Sequence, residues 1–412
     1  MEHGGTPVQT GNGSPAGIGS PAGIGSMEGN KSPAGSGRPT DHANLDLLAF
    51  NRDVIRRRAG GRVIWQPRIL CWYDDRMFSG IGLPAPYTGM TPPQMYRALG
   101  CSNRVYDYNG CFRKIDDPRV RHSSRQVSAL ETEHIIETPV GRVTMNLVAN
   151  TSNYGTFPKK WWITNEEDMR VFLWMEERAT WAWDQAHYDR TFAEWGNIGL
   201  PAIFLPRTNI QSLFLDTMGV ENGIYALYDW PDLVEAYFRV LDESHARLID
   251  VVNASPIEYV NFGDNLHGGI LPPELFRKYL LPAYLSRNEQ LHRAGKFTFS
   301  HWDGDTKPLL PFARECGLDG IEAITPIPQG DVTLEEMKAA LGDDVFLIDG
   351  IAAILFDDSW PESMLVEQTK RLLDLFAGQL VLGISDEMSS TGNIERVRLV
   401  GRIVDDWNAA LG

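Results

Sequence analysis

The chain has 412 residues, 43% apolar and 22% charged, which is enough to bury one large core or two ordinary ones. Its 38 Lys and Arg face 54 Asp and Glu, a net charge of -16; such a surface repels nucleic-acid phosphates and anionic lipid heads and argues against both as partners. Four cysteines with no CxxC pair argue against a disulfide framework or an all-cysteine zinc site, and with neither a bilayer-length apolar run nor a basic-then-apolar leader the expected location is the cytoplasm.

Residues 1–40 contain the repeat GSPAGIGSPAGIGS (13–26) in a Gly/Ser/Pro-rich tract. This composition cannot bury enough apolar surface to offset the entropy of ordering, so a disordered tail is expected, with Met27 as a second candidate start. The first strand signal is RVIWQ (62–66), followed by Gln66 and Arg68. Between about 100 and 150 the chain is irregular, and 113–163 alternates. There, IETPVGRVTMNLV (136–148) reads as an antiparallel hairpin turning at Pro139-Val140-Gly141, an insertion beside the main fold. Thr164 and Glu167 have the spacing of a capping box.

Next comes LPAIFLP (200–206), ending at Arg207. Asp229 then precedes Trp230-Pro231 and a helical run to near Asn253. IEYVNFG (257–263) leads into Asp264 and His267, and KFTFSH (296–301) into His301 and Asp303. Asp305 is placed to cap a helix to Cys316, stopped by Gly317. LDGIEAI (318–324) contains Glu322, Thr333 with Glu336 is a second capping box, DVFLIDG (344–350) contains Asp349, and QLVLGI (379–384) ends in Ser385 and Asp386.

Each run is apolar on both faces, as a parallel strand covered by helices must be. Seven of them in sequential βα order predict an α/β fold, a (β/α)8 TIM-type barrel over 41–412, with the eighth strand inside the irregular region. A doubly wound sheet would carry a Gly-rich phosphate turn after its first strand, and QPRILCW (66–72) is nothing like one. In such a barrel the strand ends converge. The expected ring is therefore Gln66, Arg68, Arg207, Asp264, His267, His301, Asp303, Glu322, Asp349, Ser385 and Asp386. Any single member could be a helix cap or ordinary strand-end polarity. Glu322 and Asp349, however, sit inside apolar runs where a carboxylate needs a partner. His122, His134 and His187 read as surface residues, Cys316 as core, and the tryptophans at 161–162, 181 and 183 as packing.

The segments FGD (262–264), PPELFRKYLLPAY (272–284), GKFTFSHWDG (295–304), LDGIEAI (318–324), DVTLEEMKAALGDDVFLIDGI (331–351) and VLGISDEMSSTGNIERV (381–397) resemble the uroporphyrinogen decarboxylase superfamily. ETPVGRVT (137–144) and WWITNEEDMRVF (161–172) resemble its corrinoid-linked methyltransferase branch; together the resemblance spans roughly 45–410. It implies a TIM-type barrel with its site at the strand C-termini. The Gln-Ala-Gly-Arg stretch of the porphyrinogen decarboxylases is missing from 62–76, which argues against uroporphyrinogen as substrate. The thiol-methylating branch holds zinc with a His-x-Cys pair and a later Cys; here the pair is His301-Trp302-Asp303, and VLGISDE (381–387) has no Cys.

The resemblance thus implies a harder site. Zinc would be held by His301, Asp303 and Glu322, or, with no metal, His301 would act as a general acid with its pKa raised by Asp303 or Glu322, Asp264 being the alternative acid for a lyase. The implied activity is methyl transfer from a small donor, a methyl ether or a methylamine, to a corrinoid on a separate protein, since the chain has no Asp-x-His-x-x-Gly motif. The rivals are a cofactor-free decarboxylase or other lyase acting on a small carboxylate, clamped by Arg68 or Arg207, and a barrel that binds without turnover. A homodimer is implied by the resemblance alone.

Overall fold

The apolar runs form strands because their β-branched and aromatic residues fit a pleated, fully covered surface. The structure, a computed structural model, describes residues 46–151 and 155–412; the tail at 1–40 lies outside the described residues. In chain order the strands are β1 (Ile64–Trp65), β2 (Arg104–Val105), β3 (Phe112–Ile115), β4 (Arg121–Gln126), β5 (Glu131–Thr138), β6 (Gly141–Ala149) and β7 (Thr156–Lys160). They continue with β8 (Thr180–Trp183), β9 (Leu200–Phe204), β10 (Tyr259–Leu266), β11 (Phe297–Trp302), β12 (Gly320–Glu322), β13 (Phe346–Ala352) and β14 (Leu380–Ser385).

Eight of these form one parallel sheet in the order β1-β14-β13-β12-β11-β10-β9-β2. Its two edges meet where Ser102 N donates to Trp65 O at 2.9 Å, so the sheet curls into the expected (β/α)8 barrel. The eighth strand is β2. At two residues it is too short to leave a periodic signal.

Along each strand, alternate residues face the barrel interior. Ile64, Ala202, Tyr259, Phe299, Ile348 and Val381 pack there as one buried cluster. The helix Leu47–Ile55 plugs the lower end with Leu48 and Val54. Two residues further along the same inward face come Gln66, Phe204, Asn261, His301 and Gly383. Strand period alone therefore sets Gln66, Asn261 and His301 above an apolar lower layer.

Between β2 and β9 the hairpin turns at Pro139–Val140, with Thr138 opposite Gly141 as the sequence suggests. It is the centre of a four-stranded antiparallel sheet, β4-β5-β6-β7. Its Ile136 and Val143 are buried with Met169 and Val171 of the helix Glu166–Arg178. A second ribbon pairs β3 with β8, so Trp181 and Trp183 lie on a strand.

Three local expectations change. The helix at 166 is capped by Asn165, not Thr164, because Asp168 reaches back to accept from Thr164 N and Oγ1. The stretch after Asp305 forms only a 3-10 turn, Leu310–Phe312, because Pro308 and Pro311 have no N–H to donate. Asp331, from a later loop, instead holds the backbone at the start of this stretch, accepting from Thr306 N at 2.9 Å.

Candidate active site

The floor of the mouth is an ion network. Arg104 on β2 is 3% exposed; its Nε lies 2.9 Å from Glu322 Oε1 and its second terminal nitrogen 2.6 Å from Asp349 Oδ1. Gln66 Oε1 accepts from the remaining arm at 3.0 Å, and Gln66 is itself tied to Asn51 and Ser102, so its role is to hold Arg104. Arg68 donates to Glu387 Oε1 from Nε at 3.1 Å and from a terminal nitrogen at 2.9 Å.

Asp349 reaches Arg104 through an unusual backbone. Its φ is +78°, a left-handed conformation that swings the side chain inward where plain alternation would not. The space it enters is left by Gly383, where an added Cβ would lie 2.1 Å from Asp349 Oδ1. Burial, with Glu322 adding to it, holds the Asp349 carboxyl above the ordinary range although Arg104 opposes this.

Glu322 is the hub. It is fully buried, and β11 and β12 are in register so that His301 and Glu322 are paired across them. Tyr106 OH donates to its Oε1 at 3.2 Å and Asn261 Nδ2 to its Oε2 at 3.0 Å. His301 Nδ1 lies 3.0 Å from the same Oε2. Burial alone would raise the Glu322 pKa, but Arg104, Arg68 and His301 outweigh it and keep the group ionised.

That pairing sets the His301 tautomer. Nδ1–H donates to an anion, so Nε2 is the nitrogen that faces the cavity. A terminal nitrogen of Arg68 lies 3.1 Å from the same Nδ1 and acts there as a neighbouring charge. Nε2 stands 3.8 Å from Asp303 Oδ2, too far for a hydrogen bond. Nε2, Asp303 and Asp386 offer three ligand atoms within 4.8 Å of one another. Two ligand atoms of a tetrahedral zinc stand roughly 3.4 Å apart, so small side-chain adjustments would close this corner on a cation.

Two further observations fit a cation. Asp349 Oδ2 and Glu387 Oε2 are buried without a hydrogen-bond donor. Five carboxylates (Asp303, Glu322, Asp349, Asp386 and Glu387) face two guanidiniums. With only a proton to compete for the corner, the His301 ring is pushed up to about 10: burial opposes its charge, but Asp303 and Glu322 prevail. Above the corner is a cavity of about 200 Å³ lined by Arg68, Phe204, Arg207, Asp264 and His301. Phe204 lines one side of it, with Tyr106 stacked on the Phe204 ring at a centroid distance of 3.7 Å.

The expected ring thus divides. Arg68, His301, Asp303, Glu322, Asp349 and Asp386 converge, but Glu322 sits behind the imidazole and Asp386 completes the corner. Asp264 accepts from Thr208 N, Thr208 Oγ1 and Tyr284 OH, each at 2.8 Å, which makes it a structural cap in the wall. Ser385 Oγ donates to Ile324 O and accepts from Gly350 N, stitching loops together. Arg207 is paired with Asp216 at 2.6 Å, and His267 Nδ1 accepts from Gly269 N at 2.9 Å. The sequence reading missed Arg104, Tyr106, Asn261 and Glu387. Asn261, two residues beyond Tyr259, was recoverable from strand period; Arg104 was not.

A scan of protein-family models finds no match, and no curated protein matches the sequence. Among solved structures, a methyltransferase from Methanosarcina mazei matches with a TM-score of 0.51 and 12% identity, covering 88% of this chain and 98% of that one. A Listeria monocytogenes protein described as a candidate vitamin-B12-independent methionine synthase matches at a TM-score of 0.37 and 11% identity, over 84% and 96% of the two chains. At such identities the likeness concerns the fold, and at 0.37 it carries no argument. The strand order is that of a (β/α)8 barrel, the fold that the sequence resemblance implies, and the likeness to the Methanosarcina methyltransferase is a likeness of fold.

Proposed function

We propose that the protein is a methyltransferase that takes a methyl group from a small donor, a methyl ether or a methylamine, and passes it to a corrinoid carried by a separate protein. The observation that carries this reading is the corner formed by His301 Nε2, Asp303 and Asp386 on an acidic floor whose guanidiniums are already engaged. The fold shared with the Methanosarcina methyltransferase supports it. His301, Asp303 and Asp386 would hold zinc, which when bound supplies a Lewis acid for the donor's oxygen or nitrogen. Glu322 holds the Nδ1 proton so that Nε2 keeps its lone pair toward the cavity. Arg104 keeps Glu322 ionised, Tyr106 and Asn261 hold it in place, and Phe204, backed by Tyr106, shields that side of the cavity from water.

A cavity of about 200 Å³ admits a small donor but not a corrinoid ring, hence the separate carrier. The lyase reading requires a guanidinium free to clamp a carboxylate. Here Arg68 is paired with Glu387, Arg104 with Glu322 and Asp349, and Arg207 with Asp216. The test is methyl transfer to reduced free cobalamin from aryl methyl ethers and methylamines, with metal content measured on the same sample. The expected result is methylcobalamin formation, about one zinc per chain, and loss of both in His301→Ala. Carbon dioxide release from a carboxylate substrate without corrinoid would overturn the reading.

A further inference from the structure

A second cavity lies outside the barrel mouth. It measures about 610 Å³ and runs between the helix Pro231–Asn253 and the helical segment that ends with Leu281–His292. That is within the range of roughly 300–1,000 Å³ typical of small-molecule pockets, which the mouth cavity does not reach. The floor is apolar, with Phe238, Ala246 and Ile249 on one helix and Pro282 and Ala283 on the other. Into this floor are set two opposite charges that do not meet.

Arg287 is 4% exposed, yet among the described residues no carboxylate lies within 4.0 Å of it. Its terminal nitrogens donate to Pro206 O at 3.1 Å and to His245 Nδ1 at 2.6 Å. Asp242 is held by Asn209 Nδ2, 3.1 Å from its Oδ2, while its Oδ1 is buried with no donor. Separate tethers thus keep apart, in one groove, a guanidinium that feels Asp264 and Asp242 only at a distance and a carboxylate oxygen without a donor. Each arrangement is costly when left bare.

An anion alone would answer Arg287 but be repelled by Asp242, and a cation alone would do the reverse. Rim charges do not tip the balance, since Lys278 is 3.7 Å from Glu235 and the rim carries one further residue of each sign, Arg239 and Glu243. We propose that this groove binds a free α-amino acid with an apolar or aromatic side chain. Its carboxylate lies on Arg287, its ammonium on Asp242 Oδ1, and its side chain on Phe238, Ala246 and Ile249. The site shares a wall with the mouth, because Arg287 bonds the carbonyl of Pro206, just before Arg207 and the Thr208 that Asp264 caps. The proposal does not depend on methyl transfer.

The experiment is isothermal titration of the full-length protein with L-leucine, L-methionine and L-phenylalanine. N-acetyl-L-phenylalanine, which lacks the ammonium, and phenylethylamine, which lacks the carboxylate, are the controls. Saturable binding of at least one amino acid is expected, about tenfold or more weaker for each control and for Asp242→Asn, the loss expected for one hydrogen bond to a charged group. Arg287 is buried, so Ala246→Trp, which fills the groove from an apolar position, is the second variant; it is expected to abolish binding while the protein stays folded by circular dichroism. His301→Ala is expected to bind as wild type does. Three results would each overturn the proposal: no saturable heat with any of the three amino acids, equal binding of the control compounds, or binding lost in His301→Ala yet kept in folded Ala246→Trp.

Discussion

At the residue scale, His301 and Asp264 look alike in sequence, each polar at the end of an apolar run, and the structure gives them opposite duties. His301 turns Nε2 to the cavity because Glu322 holds Nδ1; Asp264 has spent its oxygens on Thr208 and Tyr284. Glu322→Gln is therefore expected to weaken zinc affinity about 10–100-fold, as loss of a partner behind a ligating histidine does. Asp264→Ala is expected to cost about 1–3 kcal/mol of stability with zinc affinity unchanged. Chelator competition and urea unfolding on both variants check this, and a reversed pattern would exchange the two roles.

His245 gives a second prediction at this scale. Burial first, then Arg287, Lys114 and Arg247, holds its imidazole well below the ordinary 6.5. The unfolded chain takes up that proton near 6.5 and the folded chain does not. The neutral ring thus contributes stability that is fully present above 6.5 and is lost as pH falls below it, by about 1.4 kcal/mol per pH unit. Lys114 and Arg287 face the ring as cations, and Glu176 is the anion paired with Lys114. His245→Gln is expected to lose stability less steeply between pH 6.5 and 5; identical slopes in urea unfolding would refute this. His245 was not singled out from sequence, because a histidine inside a long amphipathic helix carries no mark of which charges it will meet.

At the element scale, legibility followed local chemistry. The Thr333–Glu336 box is present, Glu336 N donating to Thr333 Oγ1 at 3.1 Å and Thr333 N to Glu336 Oε2 at 2.8 Å. Thr333→Ala is expected to cost about 1 kcal/mol in thermal or urea unfolding, with the methyl-transfer rate unchanged. The stretch after Asp305 departs from the helix expected there because the carboxylate that holds its first backbone N–H groups, Asp331, comes from another loop, a tertiary fact that no spacing encodes. Two prolines were the available warning, since a helix cannot be built through residues that lack the donor.

At the scale of the whole molecule, seven strands were visible because each must be apolar on both faces; the eighth was not, because β2 contributes two residues and its chief member is an arginine. Arg104 is invisible for the same reason that it matters. Its charge is acceptable in the barrel interior only once Glu322, Asp349 and Gln66, from three other strands or their ends, have been assembled around it. The polar ring was legible as a list of strand ends. Which members converge was not, because that depends on register and on one left-handed residue.

The empty place at Gly383 carries this dependence into the protein's possible histories. A methyl group there collides with Asp349, so residue 383 cannot drift even to alanine while Asp349 keeps its inward fold. Losing Asp349 first would strip Arg104 of a partner, and Arg104 in turn steadies the Glu322 that aims His301. Lineages carrying this barrel are therefore expected to change positions 104, 349 and 383 together or not at all, so that a glycine with no side chain to contribute marks whether the mouth is still intact.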